Sequence, residues 1–200
     1  MYFTSVQFVC CFGLCLTVNP VLSYAEDALQ GLQGSKRSIV DRIDQESFNY
    51  TVLTLDQPIS LQVADERLHG TTNLSPLSVV RSVAAKLNHL NIEGVKEIKK
   101  LHASDDVTQS VPDTTLLRIL SQTPPEKRED WKITQAILFG DILFIKAHYK
   151  NRDSGKEELD IWPLMKTSDR WQMVLGNAKF KAGRGPQFQR ALFEGRLTLK

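Results

Sequence analysis

The order of apolar and polar positions changes period along the chain. Ser75-Pro76 offers an N-cap residue followed by proline at the first helical position, where its missing donor costs nothing. Leu77, Val80, Ala84 and Leu87, with Val83 and Leu90 beside them, then recur every three to four residues, and Arg81, Lys86 and Asn88 fall largely on other faces. A second helix is predicted over residues 91–102, with Ile92, Val95, Ile98 and Leu101 as its stripe. Asp113 is expected to cap a short segment holding Leu116, Leu117 and Leu120, and SQTPPEKRED follows as a polar connection. From Trp131 onward the period drops to two. Ile133, Ile137 and Phe139 lead to Gly140-Asp141, a dipeptide suited to a hairpin turn. Leu143, Ile145, Ala147 and Tyr149 form one face of the next strand, and Phe144, Lys146 and His148 the other. NRDSGKEE reads as a charged loop, residues 159–167 as a third strand, 168–170 as a turn and 171–175 as a fourth.

Upstream the signals are weaker. Residues 26–37 are rich in Gly, Gln and Ser and read as a flexible leader. Ser38 with Asp41 three residues on resembles a capping box, and Ile39 and Ile43 would edge a short helix. Phe48, Tyr50 and Val52 alternate with polar residues, as do Ile59, Leu61 and Val63 after Asp56-Gln57-Pro58. This predicts two strands with the proline, which lacks a donor, at the turn or strand start. Helices followed by an antiparallel meander make an α+β domain with helices on one face of a curved sheet.

Charge divides the 200 residues further. Residues 1–25 contain no Asp, Glu, Lys or Arg, and they hold all three cysteines, Cys10, Cys11 and Cys15. An apolar run over 8–16, the Asn19-Pro20 break and Ser23-Tyr24-Ala25 before Glu26-Asp27 predict a secretory signal cleaved near Ala25. A membrane span would need about 20 apolar residues. The mature chain is thus expected in a periplasm or outside the cell, with no thiol for a disulfide or a nucleophile. Asn49-Tyr50-Thr51 is a glycosylation sequon if the pathway is eukaryotic. The last 25 residues carry six basic side chains against Glu194, a net of +5, which leaves −3 for residues 26–175. Four segments follow: a signal over 1–25, a leader with short helix and strand pair over 26–74, a core domain over 75–175 and a basic tail over 176–200.

SPLSVVRSVAAKLNHLNIEGVKEIKKLHA resembles the opening helix pair of the nuclear-transport-factor-2-like superfamily. GDILFIKAHYKNRDSGKEELDIWPLMKTSDRWQMVL is similar to its closing hairpins, closest to the exported lumazine-binding-like and polyketide-cyclase-like members. The resemblance implies a cystatin-like cone, with a curved sheet around a pocket closed by the first helices and frequent homodimers through the outer face of the sheet. The superfamily holds both enzymes and binding modules, and none of its catalytic motifs is recognisable here.

Among the histidines, no pair has metal-ligand spacing, so no metal or other cofactor is expected. His148 is a candidate acid or base, against the plainer reading of a histidine on the polar face of a half-buried strand. Asp160 is the candidate general base, because Trp162 two residues on shares its side of the strand and an indole desolvates a carboxylate. The plainer reading is a solvated residue after Glu157-Glu158, with Pro163 marking an edge. Trp162, Phe144, Tyr149 and Met165 are candidates to line a pocket for a small apolar ligand, or else core. Lys181, Arg184, Arg190 and Arg196 are candidates for contact with an envelope protein or an anionic membrane, or else for docking on the chain's own acidic surface. Nothing resembles a nucleic-acid module. The reading is an exported, non-enzymatic binding or accessory module; the alternative is an isomerase, dehydratase or cyclase-like enzyme.

Overall fold

A computed structural model describes residues 28–29, 31–62, 75–122, 124–167 and 170–199. The expected signal over 1–25 lies outside them, as do Val63, His69 and the turn residues 168–169. The fold is α+β and is built on one six-stranded antiparallel sheet in sequential order, β1 (Gly34–Ile43), β2 (Glu46–Ser60), β3 (Arg128–Phe139), β4 (Ile142–Asn151), β5 (Glu157–Thr167) and β6 (Arg170–Met173). Between β2 and β3 come α1 (Pro76–Asn88), α2 (Ile92–Lys100) and α3 (Asp113–Leu120); after β6 come α4 (Ala178–Ala182) and α5 (Gly185–Phe193).

The central helices and the meander form as the periodicity predicts. Ser75 accepts from the Ser78 amide and Asn91 from the Gly94 amide, so both long helices start on a side-chain cap. α3 starts without one: Pro112 occupies the cap position, and Asp113, the first helical residue, accepts from Lys99 Nζ at 2.6 Å. That bond ties α2 to α3. Gly140 takes φ 61° in the β3–β4 turn, where a side chain would be strained.

Three expectations upstream are corrected. The short helix expected near Ser38 is strand β1, paired residue for residue with β2, because tertiary pairing overrides a weak local cap signal. Its turn, Asp44-Gln45, has φ 51° and 70°, both central residues left-handed as a tight two-residue hairpin requires. The strand expected at 48–52 and the first two residues of the one expected at 59–63 belong to the single strand β2, which ends at Ser60. Asp56-Gln57-Pro58 lies where the β2–β3 register shifts between Thr54 and Ile59, so the proline's missing donor falls in the unpaired stretch. Nor is the leader detached: Ala28 and Leu29 are buried in the core and the Asp56 amide bonds Gln33 O at 3.2 Å. Pro163 fits its predicted edge, since β6 pairs with β5 only from Leu164 onward.

The larger correction concerns the second face of the sheet. Helices were expected on one face only, yet both are covered. The inner face packs α1 and α2 through Val79, Val80, Val83, Ala84, Leu87 and Ile98 against Leu143, Ile145, Trp131, Trp162 and Leu164. The outer face is covered by the chain's last residues: Phe180, Phe188, Ala191, Leu192 and Leu197 pack on Phe48, Tyr50, Phe139, Ile142 and Phe144. Phe188 stacks on Phe139 with centroids 4.4 Å apart and planes 1° apart, and meets Tyr50 edge-on at 5.1 Å. A Cβ on Gly185 would come within 2.7 Å of the Phe180 ring, so glycine there lets α5 sit close to the sheet. Asp106 fastens the entry to this layer by accepting from the Gly176 amide at 2.7 Å, and Asn177 caps α4 while donating to Asp105. The basic tail is therefore a structural layer. Its removal from Gly183 onward would expose the outer aromatic cluster.

Phe188→Ala should cost about 3–5 kcal/mol in urea denaturation, the usual range for deleting a fully buried phenylalanine. A loss below 1 kcal/mol would show that the outer layer is not part of the cooperative core.

Candidate functional site

Two places carry chemistry beyond packing. The first is at the far end of the inner face. Register places Asn151 opposite Arg128, Tyr149 opposite Glu158 and Ala147 opposite Asp160, so these residues share one side of β3, β4 and β5. The buried Arg128 guanidinium lies 4.8 Å from the Trp131 ring centroid and 5.3 Å from that of Tyr149. Its Nε is 3.3 Å from Asp160 Oδ2, close enough for an ion pair but not aligned as a hydrogen bond. Arg128 Nη1 and Trp131 Nε1 are likewise buried without an aligned partner. Tyr149 donates to Glu158 Oε2 at 2.7 Å and Asn151 to Oε1 at 2.9 Å.

Burial pushes the Asp160 carboxyl above its ordinary range, and Arg128 and the Trp131 indole only partly offset this. Burial and the bond to Glu158 raise the Tyr149 phenol. Asp160 serves as the counter-ion of the guanidinium, while Glu158 is held by Tyr149 and Asn151, an arrangement that ties the strand ends together.

Asp160 and His148, the two acid–base candidates, do not converge. Asp160 is on the inner face and His148, opposite Leu159, on the outer one, so the sheet stands between them. Burial and the neighbouring Lys146 charge keep the His148 imidazole below its usual range. The four pocket candidates divide the same way. Trp162 and Tyr149 belong to the inner cluster, Phe144 and Met165 to the outer, and all four are buried as core, so they line no common cavity.

The second place is on the C-terminal layer. Two of the four tail candidates are used internally. Arg184 lies over Phe48 and Phe139 at 5.3 and 5.6 Å and donates to Ser47 O, while Arg196 bridges Asp44 at 2.8 Å and Glu194 at 2.7 Å. The other two, Lys181 and Arg190, make no ion pair among the described residues and border a groove of about 520 Å³ between α4 and α5. Leu175, Phe180, Pro186, Gln189 and Phe193 line it, with Glu194 beside them. Phe193 is 56% and Leu175 49% exposed, whereas the other described aromatic side chains are buried.

Arg128 and this groove were not read from the sequence. The signal for the groove existed: Phe188, Ala191 and Leu192 share one stripe of α5, and Phe193 falls about 140° from Phe188, off that stripe. Arg128 had no signal, because its partners become neighbours only through strand register. Among the described residues no group of three or more His, Cys, Asp or Glu is placed to hold a metal, and no helix is long and apolar enough to cross a membrane. Comparison with models of protein families, with curated proteins and with solved structures gives no match.

Arg128→Met should destabilise the protein by about 3–5 kcal/mol at pH 7, since it strands a buried carboxylate. Because the folded Asp160 titrates above the unfolded carboxyl, its contribution is full below the unfolded range and falls as pH rises through the folded value. The loss in the variant should therefore shrink as pH is lowered into the acid range, where the carboxyl protonates. A loss independent of pH in denaturation curves would contradict the ion-pair assignment.

Proposed function

We propose that the chain is a non-catalytic binding module that engages a protein partner through the α4–α5 groove, and that it works after export. The observation that carries this reading is the groove itself. The exposed Leu175 and Phe193 line it together with Lys181 and Arg190, which make no ion pair among the described residues. Aromatic and arginine residues of this kind supply the few contacts that dominate interface energy. The rim charges suit a partner segment with an apolar anchor flanked by carboxylates. Export is supported by the uncharged, cysteine-holding stretch over 1–25 alone.

The enzymatic alternative gains no support from the geometry, since Asp160 is committed to Arg128 and His148 is across the sheet. Kinship with the nuclear-transport-factor-2-like superfamily stays a proposal, supported by the helix pair and the meander. The homodimer implied by that resemblance would use the outer face, but over its aromatic half that surface is covered by α4 and α5. A dimer would need the rest of that face or another surface.

Phe193→Asp and the pair Lys181→Glu with Arg190→Glu should each reduce partner capture from envelope extracts at least tenfold, about 1.4 kcal/mol, while leaving the melting temperature within a few degrees. Capture equal to that of the unaltered protein, with both variants folded, would rule the groove out as the interface.

A further inference from the structure

The sheet has an open edge that is independent of the groove. Among the described residues β1 has a hydrogen-bonded neighbour on one side only, and all ten of its residues pair with β2 without a register shift. The hairpin determines which of its backbone groups face outward. A two-residue turn requires its closing pair, here Ile43 and Glu46, to exchange hydrogen bonds, and the antiparallel ladder then bonds every second residue. The far end agrees in phase, since the Asp56 amide bonds Gln33 O. The odd-numbered residues of β1 therefore direct their backbone groups to β2, and Gly34, Lys36, Ser38, Val40 and Arg42 direct theirs away from it.

Proteins commonly protect such an edge by shortening it, bulging it or placing proline in it, and β1 has none of these devices. The edge is also accessible. Lys36, Ser38 and Arg42 are exposed, and Val40, at 68%, is the most exposed large apolar side chain among the described residues. Its charge is one-sided. Lys36, Arg37 and Arg42 make no ion pair among the described residues, and the strand's one carboxylate, Asp41, already accepts from the Tyr50 hydroxyl and the Thr198 amide. Two copies joined through β1 would each bring three cations and one committed carboxylate, so like charges disfavour self-pairing. The same cations favour an acidic strand.

We propose that β1 takes up an extended acidic segment of another protein as a seventh strand. The outward N–H and C=O groups of the even-numbered residues supply the ladder, and the side chains supply the selectivity. In an antiparallel arrangement the partner presents a carboxylate opposite Arg42 and an apolar residue two positions on, opposite Val40. Five and six positions on, it presents carboxylates opposite Arg37 and Lys36.

The probe is the peptide TETVITEET, blocked at both ends, added to the full chain and read by residue-resolved hydrogen exchange. Millimolar peptide should slow exchange of the Lys36, Ser38, Val40 and Arg42 amides at least tenfold. Replacing its three glutamates by glutamine should weaken binding about tenfold, as expected for three lost cross-strand charge pairs. Val40→Pro removes an outward donor without touching a bond to β2, so it should weaken the peptide at least tenfold while the melting temperature stays within a few degrees. Exchange of the four amides unchanged by millimolar peptide in the unaltered protein would overturn the proposal, whether or not the proline variant folds. Protection of those amides that grows with protein concentration in the absence of peptide would assign the edge to a second copy and would overturn it too.

Discussion

The flat stack of Phe188 on Phe139 closes the second face of the sheet, and much of the architecture depends on it. β4 is buried on both sides from Ile142 to Ala147, which an antiparallel strand tolerates only when a layer lies above and below it. α1 and α2 supply the inner layer. The outer one comes from the last residues of the chain, so a segment that is basic and glycine-marked in sequence is needed to keep water off Phe48, Tyr50 and Phe144. Its charges follow from that position. Arg184 and Arg196 reach back to the β1–β2 hairpin, while Asp41 accepts from Tyr50 and, at 2.6 Å, from the Thr198 amide. Burial would raise the Asp41 carboxyl, but these hydrogen bonds outweigh it and hold it below its ordinary range.

A sheet covered on both faces is also a partition. Its inner end holds an arginine, two carboxylates and three aromatic rings in one network; its outer face holds a lysine that makes no ion pair among the described residues, near a histidine. These are opposite electrostatic situations on neighbouring strand positions, because the side chain of each successive residue changes face. Chemistry that would need Asp160 and His148 together is thereby separated, and the groove on the C-terminal layer is a surface where exposed apolar side chains lie beside Lys181 and Arg190.

Regular elements were legible in the sequence wherever a long run kept one period. α1 declares itself through Ser75-Pro76 and its apolar stripe, and β3 to β5 through alternation and the Gly140 turn. The hairpin β1–β2 was hidden because Ser38, Asp41, Ile39 and Ile43 satisfy a helical cap and spacing equally well, and pairing with β2 decides between them. The tail's apolar stripe of Phe188, Ala191 and Leu192 was visible, but the surface it covers was not, since periodicity names a buried face without naming its partner. The same limit applies to the sites. Alternation shows that Phe144 and Tyr149 point to opposite sides of β4, yet that Arg128 meets Asp160, or that Lys146 meets Gln135, follows from register across three strands.

The account rests on the C-terminal helix being part of the cooperative core, and native-state hydrogen exchange of the α5 amides measures this directly. Amides in the last two turns of α5, through Phe193, should exchange only by global unfolding, with the same free energy and the same denaturant dependence as those of β4. Exchange of α5 near zero free energy and without denaturant dependence, while β4 stays protected, would show that the outer layer is an appendage and would contradict the account.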